Sequence, residues 1–202
     1  MTFEVVSMPL GVYGTNCYLV AQPGSSDAVV IDPGDTPETV ARVLDDRGWS
    51  PRGILVTHGH IDHIGGVKGL AEAYDVEVWA PRGEADKLRE HQDAPYEPQH
   101  LLEGDEIVGI AGIEFRIFSV PGHSPASVAY ATDGIVFSGD VLFAGSIGRT
   151  DLEGGDMDML VASIRRLMDA LPGETIVASG HGPATTLERE RQTNPFLGTL
   201  RS

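Results

Sequence analysis

The chain is poor in cysteine, in positive charge and in long apolar runs. Cys17 is the single cysteine among 202 residues, so no internal disulfide can form, which fits a reducing compartment. We interpret Cys17 as a small buried hydrophobic residue in a strand. No apolar run approaches the roughly 20 residues of a membrane-spanning helix, and the N-terminus has neither a basic nor an apolar signal region. We therefore expect a cytoplasmic protein without a membrane partner.

Basic residues number 14 against 30 acidic ones, which gives a formal net charge of −16. Proteins that bind nucleic acids neutralise phosphates with lysine and arginine, so this balance argues against a nucleic-acid partner and a nuclease. The hydrophobic content of 41% is sufficient for a real core. The length suits one large domain, and without a visible linker or repeat we expect a single domain over residues 1–202.

Metal-binding side chains are concentrated in one segment. Three of the seven histidines and one aspartate lie within six positions, in Thr57-His58-Gly59-His60-Ile61-Asp62-His63. Imidazole nitrogen and carboxylate oxygen suit zinc, iron or manganese. The segment follows the apolar run 53–56, which predicts a strand that delivers the cluster to the edge of a sheet. Such edges are where α/β proteins place their chemistry.

Four more candidate residues end other apolar runs. They are Asp32, His123, Asp140 and His181, and each lies at a turn next to glycine, which permits a close approach of the backbone. A lone histidine in such a turn is usually a surface residue. Four strand ends that accompany a histidine cluster favour convergence on one site.

The order of predicted elements favours two β-rich halves. Strands are predicted over 2–7, 15–21, 27–31, 53–57, 76–80, 106–110, 113–119, 127–132, 135–138 and 174–178. Helices are predicted over 36–47, 65–74, 82–90, 156–170 and 183–192. Thr36 and Asp156 are the predicted N-caps of the first and fourth helices, and Gly48 ends the first. Residues 91–104 are predicted to form a loop. This order predicts an α/β protein with two sheets packed face to face and helices outside.

The ordered set Asp32, His58-x-His60-x-Asp62-His63, His123, Asp140 and His181 resembles the motifs of the metallo-β-lactamase superfamily. The resemblance implies an αββα sandwich of two mixed sheets. It also implies a first metal site of His58, His60 and His123, a second of Asp62, His63 and His181, and a bridging Asp140. Asp32 would support rather than ligate. His91 and His100 match no motif, and we expect both at the surface.

The segment 148–156 further resembles the glyoxalase II-like hydrolases and the related persulfide dioxygenases. The first likeness implies two divalent transition metals, zinc first and iron or manganese as alternatives. It implies hydrolysis of a small-molecule thioester of the hydroxyacylglutathione type by a metal-bridging hydroxide, with Asp62 and Asp140 as catalytic residues. Arg149 is a candidate to bind a substrate carboxylate, although a surface role is equally compatible with its position.

Only residues 182–202 follow His181 in this sequence. We therefore expect the chain to lack the C-terminal helical domain with which glyoxalase II enzymes bind glutathione. The lysine and tyrosine that hold glutathione there have no clear counterparts either. Three alternatives stay open: an iron-dependent persulfide dioxygenase with one metal, a lactonase, and a non-catalytic protein on this fold. The intact ligand set argues against the last, because unused buried polar groups are costly.

Overall fold

The computed structural model describes residues 3–200, so Met1, Thr2 and the beginning of the predicted strand 2–7 lie outside the described residues. The first sheet has six strands in the order β1 to β6. They are β1 (Glu4–Leu10), β2 (Thr15–Ala21), β3 (Asp27–Ile31), β4 (Ser50–Leu55), β5 (Val78–Pro81) and β6 (His100–Leu102). β1 to β3 pair antiparallel, whereas β3 to β6 pair parallel.

The second sheet is also mixed. Its strands are β7 (Ile107–Ile110), β8 (Ile113–Ser119), β9 (Val128–Thr132), β10 (Ile135–Gly139), β13 (Ile176–Ser179) and β14 (Thr185–Thr186). Their order is β14-β13-β10-β9-β8-β7, and only β10 and β13 pair parallel. A small separate hairpin consists of β11 (Leu142–Phe143) and β12 (Ser146–Ile147).

In the part of the chain that the structure describes, six α-helices accompany the sheets: α1 (Pro37–Arg47), α2 (Ile61–Ile64), α3 (Val67–Tyr74), α4 (Ala85–Arg89), α5 (Met157–Ala170) and α6 (Leu187–Thr193). Within residues 3–200, none of the helices has the length and apolar character needed to cross a bilayer. Asp156 caps α5 as predicted, because its carboxylate accepts the N–H of Met159 at 2.9 Å. Gly48 ends α1 in the left-handed conformation, also as predicted.

Three apolar clusters build the layers. Val40 and Leu44 of α1 pack with Leu19 and Val30 on the outer face of the first sheet. The inner faces of the two sheets meet in a central cluster, and the second sheet buries its outer face under α5. Neighbouring residues of β3 enter different clusters, since alternate side chains of a strand point to opposite faces. The result is the expected αββα sandwich of two mixed sheets with helices outside.

Two buried tyrosines join the sheets reciprocally. Tyr18 of β2 donates its hydroxyl to the carbonyl of Ser179 in the second sheet, at 2.6 Å. Tyr130 of β9 donates to the carbonyl of Val56, just after β4 in the first sheet, also at 2.6 Å. Burial raises the pKa of both phenols, so each keeps the proton that it donates. Both acceptors lie beside the segments that carry candidate ligands.

Several predicted boundaries were wrong. The loop predicted over 91–104 contains β6, a three-residue strand too short to show an alternating pattern. The helix predicted over 183–192 begins at Leu187, because Thr185 and Thr186 pair with β13 instead. Thr36 precedes α1, but its side chain makes no capping hydrogen bond. The hairpin of β11 and β12 was not predicted.

We expect Tyr130→Phe to lower the free energy of unfolding of the metal-free protein by about 1–3 kcal/mol, because a buried carbonyl loses its donor. Tyr18→Phe should cost less, about 0.5–1.5 kcal/mol, since the carbonyl of Ser179 keeps a second donor, the Asn16 side chain at 3.0 Å. Urea denaturation with chelator present measures both. A larger loss for Tyr18→Phe would contradict this account of the contact between sheets.

Candidate metal centre

All the candidate residues follow the C-terminal ends of strands. The parallel strands β3 and β4 end before Asp32 and the segment 57–63, and the parallel strands β10 and β13 end before Asp140 and His181. His123 follows β8, which runs in the same direction as β10 because β9 lies antiparallel between them. The topology therefore brings residues from both sheets to one edge.

The first group of candidate ligands consists of His58, His60 and His123. Nδ1 of His60 lies 3.1 Å from Nε2 of His58 and 2.9 Å from Nε2 of His123. His58 and His123 are buried, and His60 is partly exposed. One nitrogen of each ring thus points to a common centre, as the ligands of a single cation do.

The second group consists of Asp62, His63 and His181. Oδ2 of Asp62 lies 3.2 Å from Nε2 of His181 and 3.7 Å from Nε2 of His63. Asp140 lies between the two groups. Its Oδ1 is 3.4 Å from His63 Nε2, and its Oδ2 is 3.6 Å from His123 Nε2 and 3.4 Å from His181 Nε2. This carboxylate therefore contacts both groups, as a bridging ligand would.

Asp32 and Thr57 orient two of the rings. Asp32 Oδ2 lies 2.9 Å from Nδ1 of His63 and accepts the Thr57 hydroxyl at 2.6 Å. Thr57 Oγ1 in turn lies 3.0 Å from Nδ1 of His58. Because the threonine proton is given to Asp32, His58 must donate from Nδ1. Both rings then present Nε2 to the centre, the arrangement in which an outer partner sets the tautomer of a metal-binding histidine.

Arg149 contributes through its main chain. Its carbonyl lies 2.9 Å from Nδ1 of His123 and so leaves Nε2 of that ring for the centre. Its guanidinium is exposed and forms a bidentate pair with Asp151, with both distances 2.7 Å. The predicted role of Arg149 in binding a substrate carboxylate stays a prediction, and it would require this pair to open.

Glycines allow the backbone to come close to the candidate ligands. A Cβ at Gly180 would collide with Oδ1 of Asp140 and lie 2.7 Å from Cε1 of His63. A Cβ at Gly34 would collide with the carbonyl of Asp62. Gly180 directly precedes His181, and Gly34 lies two residues after Asp32, in the strand-end turns that the sequence indicated.

The donor set fits cations. Among the described residues, three buried side-chain polar atoms have no hydrogen-bond partner, and two of them, His63 Nε2 and Asp140 Oδ1, face each other here. Buried polar atoms without partners are costly, and divalent metals would satisfy both. Five imidazoles with two carboxylates match the preferences of zinc and iron.

The pKa values divide the candidate ligands into neutral rings, His58 and His60, and charged groups, Asp62, His63 and His181. Burial, with the neighbouring histidines, lowers the pKa of His58 well below its ordinary value and that of His60 to about 4, so both rings are neutral. Burial opposes ionisation of Asp62, but His181, His63 and Thr15 lower its pKa to about 2. Asp140 and Asp62 raise the pKa of His181 to about 9. Burial likewise opposes a charge on His63, but Asp32 and Asp140 raise its pKa to about 10.

A cavity of about 320 Å³ opens beside Asp62. Its described lining includes exposed Val12, Tyr13 and Ile61, the carboxylates Asp35 and Asp93, and His91, with no lysine or arginine. His91, which we expected at the surface, is partly exposed where it lines this cavity. Its Nδ1 accepts the N–H of Ala94 at 2.9 Å, and its Nε2 is buried without a hydrogen-bond partner. His100 is partly exposed, stacks on Trp79 and pairs with Glu77.

Sequence reasoning missed three residues that hold this centre. They are Thr57, Thr15, whose hydroxyl donates to Asp62 Oδ2 at 2.7 Å, and Glu84, which bonds to the main chain of Gly59. Thr57 could have been suspected, because it directly precedes the first histidine at a strand end. Thr15 and Glu84 lie far from the motifs in sequence and gave no signal.

Comparisons with known proteins agree with this geometry. A family model described as the metallo-β-lactamase superfamily matches residues 10–181. A "probable metallo-hydrolase" of Bacillus subtilis is 36% identical, over 94% of this chain and 95% of that protein. The hydroxyacylglutathione hydrolase GloC of Haemophilus influenzae is 33% identical, over 98% of this chain and 99% of that protein.

Solved structures share the architecture. The BLEG-1 B3 metallo-β-lactamase superposes with a TM-score of 0.90 at 39% identity, covering 96% of this chain and 100% of that one. The protein TTHA1623 in a di-iron-bound form gives 0.79 at 41% identity, with 95% and 100% covered. ETHE1 from Myxococcus xanthus gives 0.81 at 26% identity, with 100% and 91% covered. The order of the motifs, the layered sheets and the convergent donors all lead to the same conclusion: the chain belongs to the metallo-β-lactamase superfamily.

Proposed function

We propose that the chain is a dinuclear metallohydrolase that cleaves thioesters of the hydroxyacylglutathione type. The observation that carries the proposal is the pair of donor groups joined by Asp140. His58, His60 and His123 would hold one divalent cation, and Asp62, His63 and His181 the other. Zinc is the first candidate, with iron or manganese as alternatives, and the likeness to a protein crystallised with two irons supports the di-iron form.

The bound cations would supply a water acidified toward neutral pH and a Lewis acid for the substrate carbonyl. The residues of the chain then place the reactants. Thr15 holds the Asp62 carboxylate in position, and that carboxylate can orient the attacking water. A thiolate leaving group needs little protonation, because thiol pKa values lie near about 8.5. A thioester therefore suits a centre without a dedicated general acid.

Two observations bear on the alternatives. The second donor group favours two metals, whereas the iron-dependent persulfide dioxygenase implied by the segment 148–156 uses one. The likeness to GloC, whose name states hydroxyacylglutathione hydrolysis, supports the thioester over a lactone. Assays of persulfide oxidation and of lactone hydrolysis test these two alternatives.

We expect protein purified without chelator to hold about two metal ions per chain. Asp140→Ala should bind fewer and lose at least about 100-fold in kcat/KM, because the two cations would lose the anion that offsets their repulsion. Elemental analysis and thioester kinetics measure both. The matched control is His100→Ala, which lies outside the donor groups and should keep metal and activity. One metal per chain that does not rise on adding zinc or iron would remove the dinuclear model.

Metal binding should release protons. At pH 7 the metal-free protein holds protons on His63 and His181, whose pKa values of about 10 and 9 lie above that pH. Both must be lost, so we expect about two protons per chain on loading, plus any from a bound water, and weaker metal affinity as pH falls. Zinc titration calorimetry in buffers of different ionisation enthalpy measures the number. Release of less than one proton would contradict these protonation states.

The lining of the cavity beside Asp62 supports only weak discrimination between glutathione and other thiols. Its lining contains Asp35 and Asp93 but no cation among the described residues to receive a glutathione carboxylate. We expect kcat/KM for lactoyl thioesters of glutathione, of a truncated thiol and of coenzyme A to agree within roughly 10-fold. The KM for S-lactoylglutathione should lie in the upper part of the usual range of about 1 μM–1 mM, or above it.

The same panel includes oxygen uptake with glutathione persulfide and hydrolysis of a lactone. A preference for glutathione of about 100-fold or more would show a dedicated thiol pocket and contradict the expected tolerance. Oxygen uptake without thioester cleavage would overturn the hydrolase itself.

A further inference from the structure

Glu84 is a fully buried carboxylate outside the two donor groups. It ends the short 3-10 helix Arg82–Glu84 that precedes α4. Its Oε1 accepts the Ser124 hydroxyl at 2.8 Å and the Ala126 N–H at 3.0 Å. Its Oε2 accepts the Lys87 ammonium at 2.7 Å and the Gly59 N–H at 3.2 Å.

The two oxygens bind different segments. Gly59 separates His58 from His60, and Ser124 directly follows His123. One side chain therefore joins the two segments that carry all three members of the first donor group. In the described part of the chain, Glu84 forms no hydrogen bond with Asp62, His63 or His181 of the second group.

Two glycines leave the space that these contacts of Glu84 require. A Cβ at Gly59 would lie 2.7 Å from Cδ of Lys87, 2.8 Å from its Cβ and 3.0 Å from Oε2 of Glu84. A Cβ at Gly83 would lie 2.6 Å from that of Ala126. The glycine between the two histidines thus leaves room for the Lys87 stem and the Glu84 carboxylate.

Burial of an ionised carboxylate is unfavourable unless its lone pairs are satisfied. Burial alone would raise the pKa of Glu84, but the bonds from Lys87, Ser124 and Ala126 give a net lowering, so the group is charged. Each oxygen of Glu84 accepts hydrogen bonds from two donors. A glutamine cannot replace Glu84, because its amide nitrogen is itself a donor and would face two of these donors.

We propose that Glu84 is a positioning residue for the first metal site. It holds the segment 58–60 and the segment 123–126 at a fixed separation, so that three ring nitrogens converge. The affinity of that site then depends on a side chain that binds no metal. The inference rests on the dinuclear centre proposed above.

The test is Glu84→Gln, which preserves side-chain volume and removes the bonds to one segment. We expect zinc affinity at the first site to fall by roughly 10–100-fold, as for other partners of metal ligands, and the second site to change little. Competition with a chromophoric chelator gives both dissociation constants, and cobalt substitution reports the geometry of each site by its visible spectrum.

The matched control is Glu190→Gln. Glu190 is equally buried and accepts the Gly145 N–H at 2.8 Å, the Thr185 hydroxyl at 2.6 Å and the Asn194 amide at 2.9 Å. It should destabilise the metal-free protein without weakening the first site selectively. Equal loss of metal in the two variants, or unchanged zinc affinity in Glu84→Gln, would overturn the positioning role.

A parent chain that binds no metal would instead refute the proposed function, so the two failures are distinguishable. If Glu84→Gln does not fold, Ser124→Ala provides the second measurement. It removes the hydroxyl that donates to Oε1 of Glu84 at 2.8 Å and changes no charge near the centre, so it should weaken the first site by roughly 10-fold. Unchanged affinity in Ser124→Ala would then overturn the proposal.

Discussion

Asp32 follows β3 with its carboxylate almost completely buried, and hydrogen bonds from Thr57 and His63 offset the cost of placing it there. The contact ties the ends of two adjacent parallel strands together. It also decides how His58 and His63 turn, since Thr57 relays the constraint to His58. Without this carboxylate, His63 and Thr57 would lose the partner that sets the tautomers of His63 and His58.

The remaining donors depend on contact between the two sheets. Tyr18 and Tyr130 cross the central cluster in opposite directions, and the Asn16 side chain donates to the carbonyls of Ser179 and Gly182 on either side of His181. The centre is therefore assembled on rigid strand ends rather than on a mobile loop. The unpartnered atoms of His63 and Asp140 are the local cost of that assembly, which bound cations would offset.

The sequence allowed the architecture and the candidate donors to be predicted, because both have strong local signals. Alternation of side chains marked the long strands, and imidazoles next to strand-end glycines marked the donors. Short elements such as β6 and the hairpin of β11 and β12 escaped, since two or three residues cannot show a period. Thr15 and Glu84 escaped because nothing in their neighbourhoods distinguishes them from ordinary polar residues.

The sequence by itself determined which donor atoms are available, which strands carry them and that the chain has few cations to offer an anionic ligand. Only the tertiary structure decided which nitrogen of each ring faces the centre, that Arg149 orients His123 with its carbonyl, and that His91 lines a cavity. The reason is physical: strand and helix patterns arise from neighbours along the chain. Ring orientation arises from single hydrogen bonds between residues that are distant in sequence and meet only after the sheets have packed.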